Sequence, residues 1–189
     1  MENTGMDARY FYCISAFRFY YGWIRETENY LTKDNMKIYI DADAVPGAIR
    51  DILFRASEKN SIQTIVIANQ RLKLPDSEYI SGIEAPAGPD AADDLIVDLV
   101  SSGDLVITAD IPLADRVINR GAYVLNHRGE FYDMHNIKER LTMRNLMEDL
   151  RSIGVDTGGQ APLSLKDRNI FAGKLDRFIQ EYKKNGEIK

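Results

Sequence analysis

From residue 36 onward, short runs of β-branched and other apolar residues alternate with stretches in which apolar positions recur at helical spacing. Residues 38–40 make a short apolar strand. Ile49, Ile52, Leu53 and Ala56 then give one buried face to a helix over 46–59, with Pro46 in its first turn. The contiguous Ile65, Val66 and Ile67 predict a strand over 62–68 covered on both faces, as strands of parallel sheets are. A weaker strand over 79–84 and the Pro- and Gly-containing stretch 85–89 follow. Then come a helix over 91–101, a strand over 105–108, a helix over 113–120 and a short strand over 122–125. Right-handed crossovers between these strands predict an α/β fold, a three-layer sandwich with a mainly parallel central sheet. Two amphipathic helices, over 135–152 and 164–183, extend it, so the domain is expected to span 36–184.

The first 35 residues read differently. Residues 10–24 are rich in aromatics, with Arg18 among them, and their apolar stretch is shorter than the roughly 20 residues that a membrane span requires. The acidic opening is followed by no clear small-residue cleavage site, so the stretch is not read as a secretory signal and the expected location is cytoplasmic, away from any membrane. Either a short amphipathic helix docks on the domain, or an upstream start codon adds a tail to a protein whose natural start is Met36. The second reading is preferred.

Composition narrows the chemistry. The chain has 189 residues, 44% of them hydrophobic, enough for one sizeable core. Its net charge of −5 offers no global attraction for nucleic acid, so a phosphate-bearing ligand would need a local basic patch or a metal. With Cys13 the one cysteine, and His127 and His135 the two histidines, an intrachain disulfide, a cysteine-bound zinc and a histidine-rich metal site are all excluded or unfavoured.

Carboxylates remain, and they stand where α/β sheets place chemistry, at the C-terminal ends of strands. Asp41 and Asp43 follow the first strand and would share one face if it stayed regular. Asp110 follows the strand over 105–108, and Asp90, Asp93 and Asp94 open a helix on which they can project to one side. Each has an ordinary explanation: turn former for Asp41 and Asp43, N-cap before Pro112 for Asp110, capping and dipole complement for the helix acids. Parallel topology nevertheless brings them to one edge, where unpartnered acids would raise one another's pKa unless a cation neutralised them. Oxygen-only donors select a hard ion, Mg²⁺ or Mn²⁺, which can activate water and stabilise charge on a phosphoryl oxygen. Phosphodiester hydrolysis is the reaction class that follows. Thr108, two residues before Asp110, is a candidate to hold a water or phosphate oxygen. Asn69, after the second strand, is a candidate for substrate contact. Among Arg128, Arg140, Arg144, Lys166 and Arg168, Arg128 is the leading candidate for a phosphate-binding rim, and a solvated, ion-paired face is the ordinary reading of most of the others.

Asp41-Ala42-Asp43-Ala44-Val45-Pro46, Ala92-Asp93-Asp94, the run from Gly103 through Ala114, Asn126-His127-Arg128-Gly129-Glu130 and Thr157-Gly158-Gly159 together resemble the bacterial YaiI/YqxD family of small uncharacterised proteins. That family is related by fold to PIN-like nuclease domains. The resemblance covers Met36 to about Ile179 and implies that Asp41, Asp93 and Asp110 hold a metal, with Asp43, Asp94 and Asp115 close by. It also places Met36 where relatives begin. Val45 stands where relatives commonly have Cys and His127 where they commonly have Pro, which removes a thiol from beside the acids.

The function expected is thus Mg²⁺- or Mn²⁺-dependent hydrolysis of RNA or DNA by metal-activated water. Asp41, Asp93 and Asp110 would be primary ligands, and Asp43 and Asp94 would bind through water or orient the nucleophile. Two alternatives stand beside it. One is a nucleic-acid-binding or interaction protein without turnover. The other is a haloacid-dehalogenase-like phosphatase, suggested by Asp41-Ala42-Asp43-Ala44-Val45, although no lysine follows an equivalent later strand.

Overall fold

Strand β1 (Ile38–Asp41) is buried along its whole length because it lies inside a six-stranded sheet of order β3-β2-β1-β4-β5-β6. The computed structural model describes residues 36–156, 158 and 161–185. The chain divides into a unit over Met1–Asn35 and one over Met36–Lys189. The expectations for residues 10–24 and for a start at Met36, together with Thr157 and Gly159, lie outside the described residues.

Strands β2 (Thr64–Ala68), β3 (Ile80–Glu84), β4 (Leu105–Ile107) and β5 (Tyr123–Leu125) run parallel to β1, and β6 (Phe131–Tyr132) pairs antiparallel with β5. Successive side chains of a strand face opposite ways, and the two cores follow that alternation. Ile38 and Ile40 of β1, with Leu105 and Ile107 of β4, pack under α1 (Gly47–Asn60) and α5 (Leu165–Asn185), which supply Ile49, Leu53, Phe171, Leu175, Phe178 and Ile179. Tyr39 and Val106 face the other way. They meet Ile96 and Val97 of α2 (Ala91–Leu99), Leu113 and Val117 of α3 (Ile111–Ile118), and Ile137 at the start of α4 (Ile137–Ser152). The result is the expected three-layer α/β sandwich, with a mainly parallel sheet and C-terminal helices. Burying side chains of this size contributes about 1.5–3 kcal/mol each, so both faces are needed to hold the sheet.

Two elements depart from the sequence expectation. Strand β6 was not foreseen, since two residues carry too little periodicity to be read. Helix α4 forms close to the expected 135–152, but its apolar positions are largely uncovered: among its residues only Ile137 is fully buried, and Met143, Leu146 and Met147 are 52%, 49% and 36% exposed. Helix α5 behaves as expected and buries one face against β1, β4 and α1. Among the described residues no helix is long and apolar enough to cross a membrane.

Topology fixes where a site can form. The chain leaves β1 toward β2 and β3 on one side, while β4 and β5 extend the sheet on the other. The crevice beyond the C-terminal ends of β1 and β4 is therefore the switch point of the sheet.

Candidate functional site

Ile40 and Ile107 are register partners on β1 and β4, so the next residues along, Asp41 and Thr108, emerge side by side on the face covered by α2 and α3. Both are buried. The Thr108 hydroxyl donates to Asp41 Oδ2 at 2.7 Å and accepts from the Asp110 backbone N–H at 2.9 Å. Asp41 Oδ1 accepts a longer bond, 3.3 Å, from the Ala44 N–H of the turn that follows. One hydroxyl thus ties the end of β1 to the loop leading into α3.

Asp110 is the N-cap of α3. Its Oδ1 accepts from Leu113 N–H at 2.8 Å and Pro112 occupies the first turn, so the ordinary explanation of this acid holds for one of its oxygens. Asp93, in the first turn of α2, is half-buried and close enough to respond to both Asp41 and Asp110. Burial first, then the charges of Asp110, Asp41 and Asp90, push its carboxyl up to about 6, with Arg116 opposing. Burial likewise raises Asp41, against the hydrogen bonds from Thr108 and Ala44 and with the charges of Asp43 and Asp110 behind it. Asp41, Thr108, Asp93 and Asp110 are therefore brought together.

The remaining candidates are placed differently. Strand β1 ends at Asp41 and residues 42–45 form a turn, so Asp43 does not continue on the strand face with Asp41. It is exposed, and its Oδ2 accepts from Asn69 N–H at 3.1 Å and from Asn69 Nδ2 at 2.8 Å. Asn69 is thereby held at the end of β2, facing the same edge. Asp94 points to Arg116 at 2.6 Å and Asp115 to Lys138 at 2.7 Å. The acids that open α2 thus diverge rather than sharing one side.

Arg128 Nη1 reaches Asp167 Oδ2 at 3.0 Å, and Nη2 donates to the Ala161 carbonyl. Asp167 in turn accepts from the Ser164 N–H and hydroxyl, both at 2.8 Å, which hold its carboxyl below the ordinary range. Arg128 therefore fastens the β5–β6 turn to the start of α5.

Asn126 was quoted in the motif but given no role. It is buried at the C-terminal end of β5, and its Oδ1 accepts from Arg128 N–H at 2.9 Å and Glu130 N–H at 3.0 Å. Its amide donates to the Tyr132 hydroxyl at 3.0 Å. Gly129 completes this turn at φ 84°, where an added Cβ would lie 3.0 Å from the Phe171 backbone nitrogen. An Asn three residues before a Gly, between two apolar runs, is the sequence signal for such a turn. His127, beside it, has a buried Nδ1 without a hydrogen-bond partner, and burial holds its pKa below the ordinary value.

The donor chemistry at the edge suits a hard divalent ion: all-oxygen acids, with no arginine or lysine within ion-pair distance of Asp41, Asp93 or Asp110 among the described residues. The spacing is more open than a formed cage. Among the described residues no three acids, histidines or cysteines are gathered as closely as a bound ion requires. An ion would have to draw the three carboxylates inward.

Comparison with known proteins places the whole domain. The model of the family described as "Uncharacterized BCR, YaiI/YqxD family" matches residues 39–181. A UPF0178 protein of Dechloromonas aromatica is 58% identical over 144 residues, 76% of this chain and 96% of the relative. UPF0178 proteins of Shewanella amazonensis and Cupriavidus pinatubonensis are 52% and 50% identical over 76% and 78% of this chain, and over 97% and 98% of their own lengths. No solved structure matches the chain significantly.

Proposed function

The chain belongs to the YaiI/YqxD family, and from that premise we propose that it hydrolyses nucleic-acid phosphodiesters at the acid edge with the help of Mg²⁺ or Mn²⁺. The observation that carries this reading is the convergence of Asp41, Asp93 and Asp110 on one another at the switch point, where Arg116, ion-paired to Asp94, is the one cation that acts on Asp93 and their mutual repulsion still raises it. A fold gains nothing by crowding like charges in a half-buried crevice, and such groups perturb one another's pKa where chemistry requires it.

Asp41, Asp93 and Asp110 would hold the ion, which when bound supplies an activated water and stabilises charge on the phosphoryl oxygens. The residues of the chain divide the remaining work. Thr108 fixes the orientation of Asp41 through Oδ2, and the longer bond from Ala44 leaves Oδ1 the less committed oxygen for the ion. Asp110 keeps Oδ2 free because its cap uses Oδ1. Asp93, half-buried and raised by the neighbouring acids, is the carboxylate that a bound cation would relieve most. Asp43 holds Asn69 at the edge, where its amide can meet a phosphate or sugar oxygen. A covalent aspartyl-phosphate route has less support, since no lysine is among the charges acting on Asp41.

The test is cleavage of end-labelled RNA and DNA oligonucleotides with Mn²⁺ or Mg²⁺, beside Asp41→Asn and Asp110→Asn variants that remain folded. The reading expects ion-dependent cleavage reduced at least about a hundredfold in each variant. Binding without cleavage under every ion tried would replace it with a nucleic-acid-binding role. Hydrolysis of small phosphate esters alone, with a trapped aspartyl-phosphate, would replace it with the phosphatase.

A further inference from the structure

We propose that the cleft between α1 and α5 is the track along which a single-stranded nucleic acid leaves the acid edge, with its phosphates held by Arg55, Lys73 and Arg168. The choice of ligand rests on the phosphodiesterase reading, while the cleft itself is a separate feature on the opposite face of the sheet from α2 and α3. Its volume is about 640 Å³, inside the range of ligand pockets. Ile52, Phe54, Arg55, Lys73, Pro75 and Arg168 line it.

Helix α1 and the β2–β3 connection, which line the cleft, both leave the acid edge. Helix α1 begins directly after the turn that follows Asp41 and contains Asp43, and Ala48 in its first turn already lines the cleft. The β2–β3 connection leaves the same edge at Asn69, which Asp43 anchors, and carries Lys73 to the cleft wall. Helix α5 starts where Arg128 clamps Asp167, and Arg168 is the next residue.

Most of the other arginines on the domain are ion-paired, as is Lys138. Arg116, Arg120, Arg128, Lys138, Arg140, Arg144 and Arg177 each have a carboxylate partner. Among the described residues Arg55, Lys73 and Arg168 form no ion pair with a carboxylate, and Arg168 Nε is buried without any hydrogen-bond partner. Asp51 and Glu58 also line the cleft, so Arg55, Lys73 and Arg168 leave a surplus of one positive charge on its wall. In a chain whose net charge is −5, that is the local basic surface that a phosphate backbone needs. Half-buried Phe54 and Ile52 add an apolar floor on which bases can lie. Cations tracking a backbone beside an aromatic ring describe recognition of single strands, whose bases are free to stack.

The experiment is fluorescence anisotropy of a labelled oligouridylate, roughly a dozen nucleotides long, with the full chain in EDTA, so that ion-dependent cleavage is silent. The expected result is saturable binding that Arg55→Gln with Lys73→Gln weakens about tenfold or more, with the salt slope reduced by about two. Lys59→Gln with Arg177→Gln, on the same two helices, leaves binding unchanged. Lys73→Gln alone, on an exposed loop residue, reads out the track without risk to the fold. No binding by the parent, equal binding by parent and Arg55/Lys73 variants, or tighter binding of a duplex would each overturn the proposal. Oligonucleotide cleavage that is unaffected by Arg55→Gln and Lys73→Gln would overturn the track and leave the acid edge standing. Binding that survives Asp41→Asn while no ion supports cleavage would keep the track and discard the hydrolase.

Discussion

Asp41 and Asp104 are both buried aspartates at the ends of neighbouring strands, and burial raises the pKa of both, yet they are built for opposite purposes. Asp104 sits at the N-terminal end of β4. Its Oδ1 accepts from Lys37 N–H at 2.9 Å and its Oδ2 from Ser101 N–H at 2.8 Å, and the Lys37 ammonium opposes the effect of burial. Each of its oxygens therefore has a backbone donor, which fastens the start of β1 to the loop before β4. Asp41, at the other end of the sheet, has one short bond from Thr108 and one long bond from Ala44, and the charges around it are those of other acids. A buried carboxylate surrounded by donors is a staple, whereas one surrounded by acids is held in a state that only a cation or a proton relieves.

The largest effect expected from this contrast is on Asp104. Asp104→Ala leaves two backbone N–H groups without acceptors and should cost about 3 kcal/mol in urea unfolding, with Asp104→Asn recovering roughly half. A loss below about 1 kcal/mol would show that Asp104 is no staple. The next effect is on Asp93. Its carboxyl is raised from an ordinary 3.8 to about 6, so the folded state binds the proton more tightly than the unfolded one. The stability this gives is fully present below pH 4, falls as pH rises toward 6, and is absent above it. Asp93→Asn should flatten that decline and stabilise the domain at pH 7.5 by about 1–2 kcal/mol, once solvent screening is allowed for. Parallel stability–pH curves for the parent and the variant would break the account of the acid edge. The smallest effect is on Asp41 itself. Asp41→Asn keeps an acceptor for Thr108 and relieves repulsion, so stability should change by less than about 1 kcal/mol, while Mn²⁺ loses its ability to raise Tm. A loss of 3 kcal/mol would place Asp41 with Asp104.

Much of this was legible in the sequence because periodicity reports burial. The double-sided burial of β2 followed from Ile65, Val66 and Ile67, and the face of α1 from Ile49 and Leu53. The edge location of Asp41, Asp93 and Asp110 followed from parallel topology alone. What the sequence could not carry was direction within a turn. Asp43 leaves the strand face because β1 stops at Asp41, and Asp94 turns to Arg116, a partner 22 residues away that no local pattern reveals. Arg128 likewise finds Asp167 across 39 residues. Asp104 attracted no attention because an Asp before a strand looks like any turn former, and its two backbone donors come from separate segments. The exposed apolar positions of α4 show the reverse case, in which spacing suited to packing is present and most of the helix remains uncovered.

The central claim, that the acids at the switch point form a cation-holding centre, is tested most directly by calorimetric titration of Mn²⁺ into the full chain beside an Asp41→Asn, Asp110→Asn double variant shown to be folded. The account predicts saturable binding to the parent, with release of protons near pH 6 as Asp93 ionises, and no binding to the variant. Equal binding to both proteins, or no binding to the parent even with an uncleavable oligonucleotide present, would contradict it and return these acids to the ordinary duties of turns and caps.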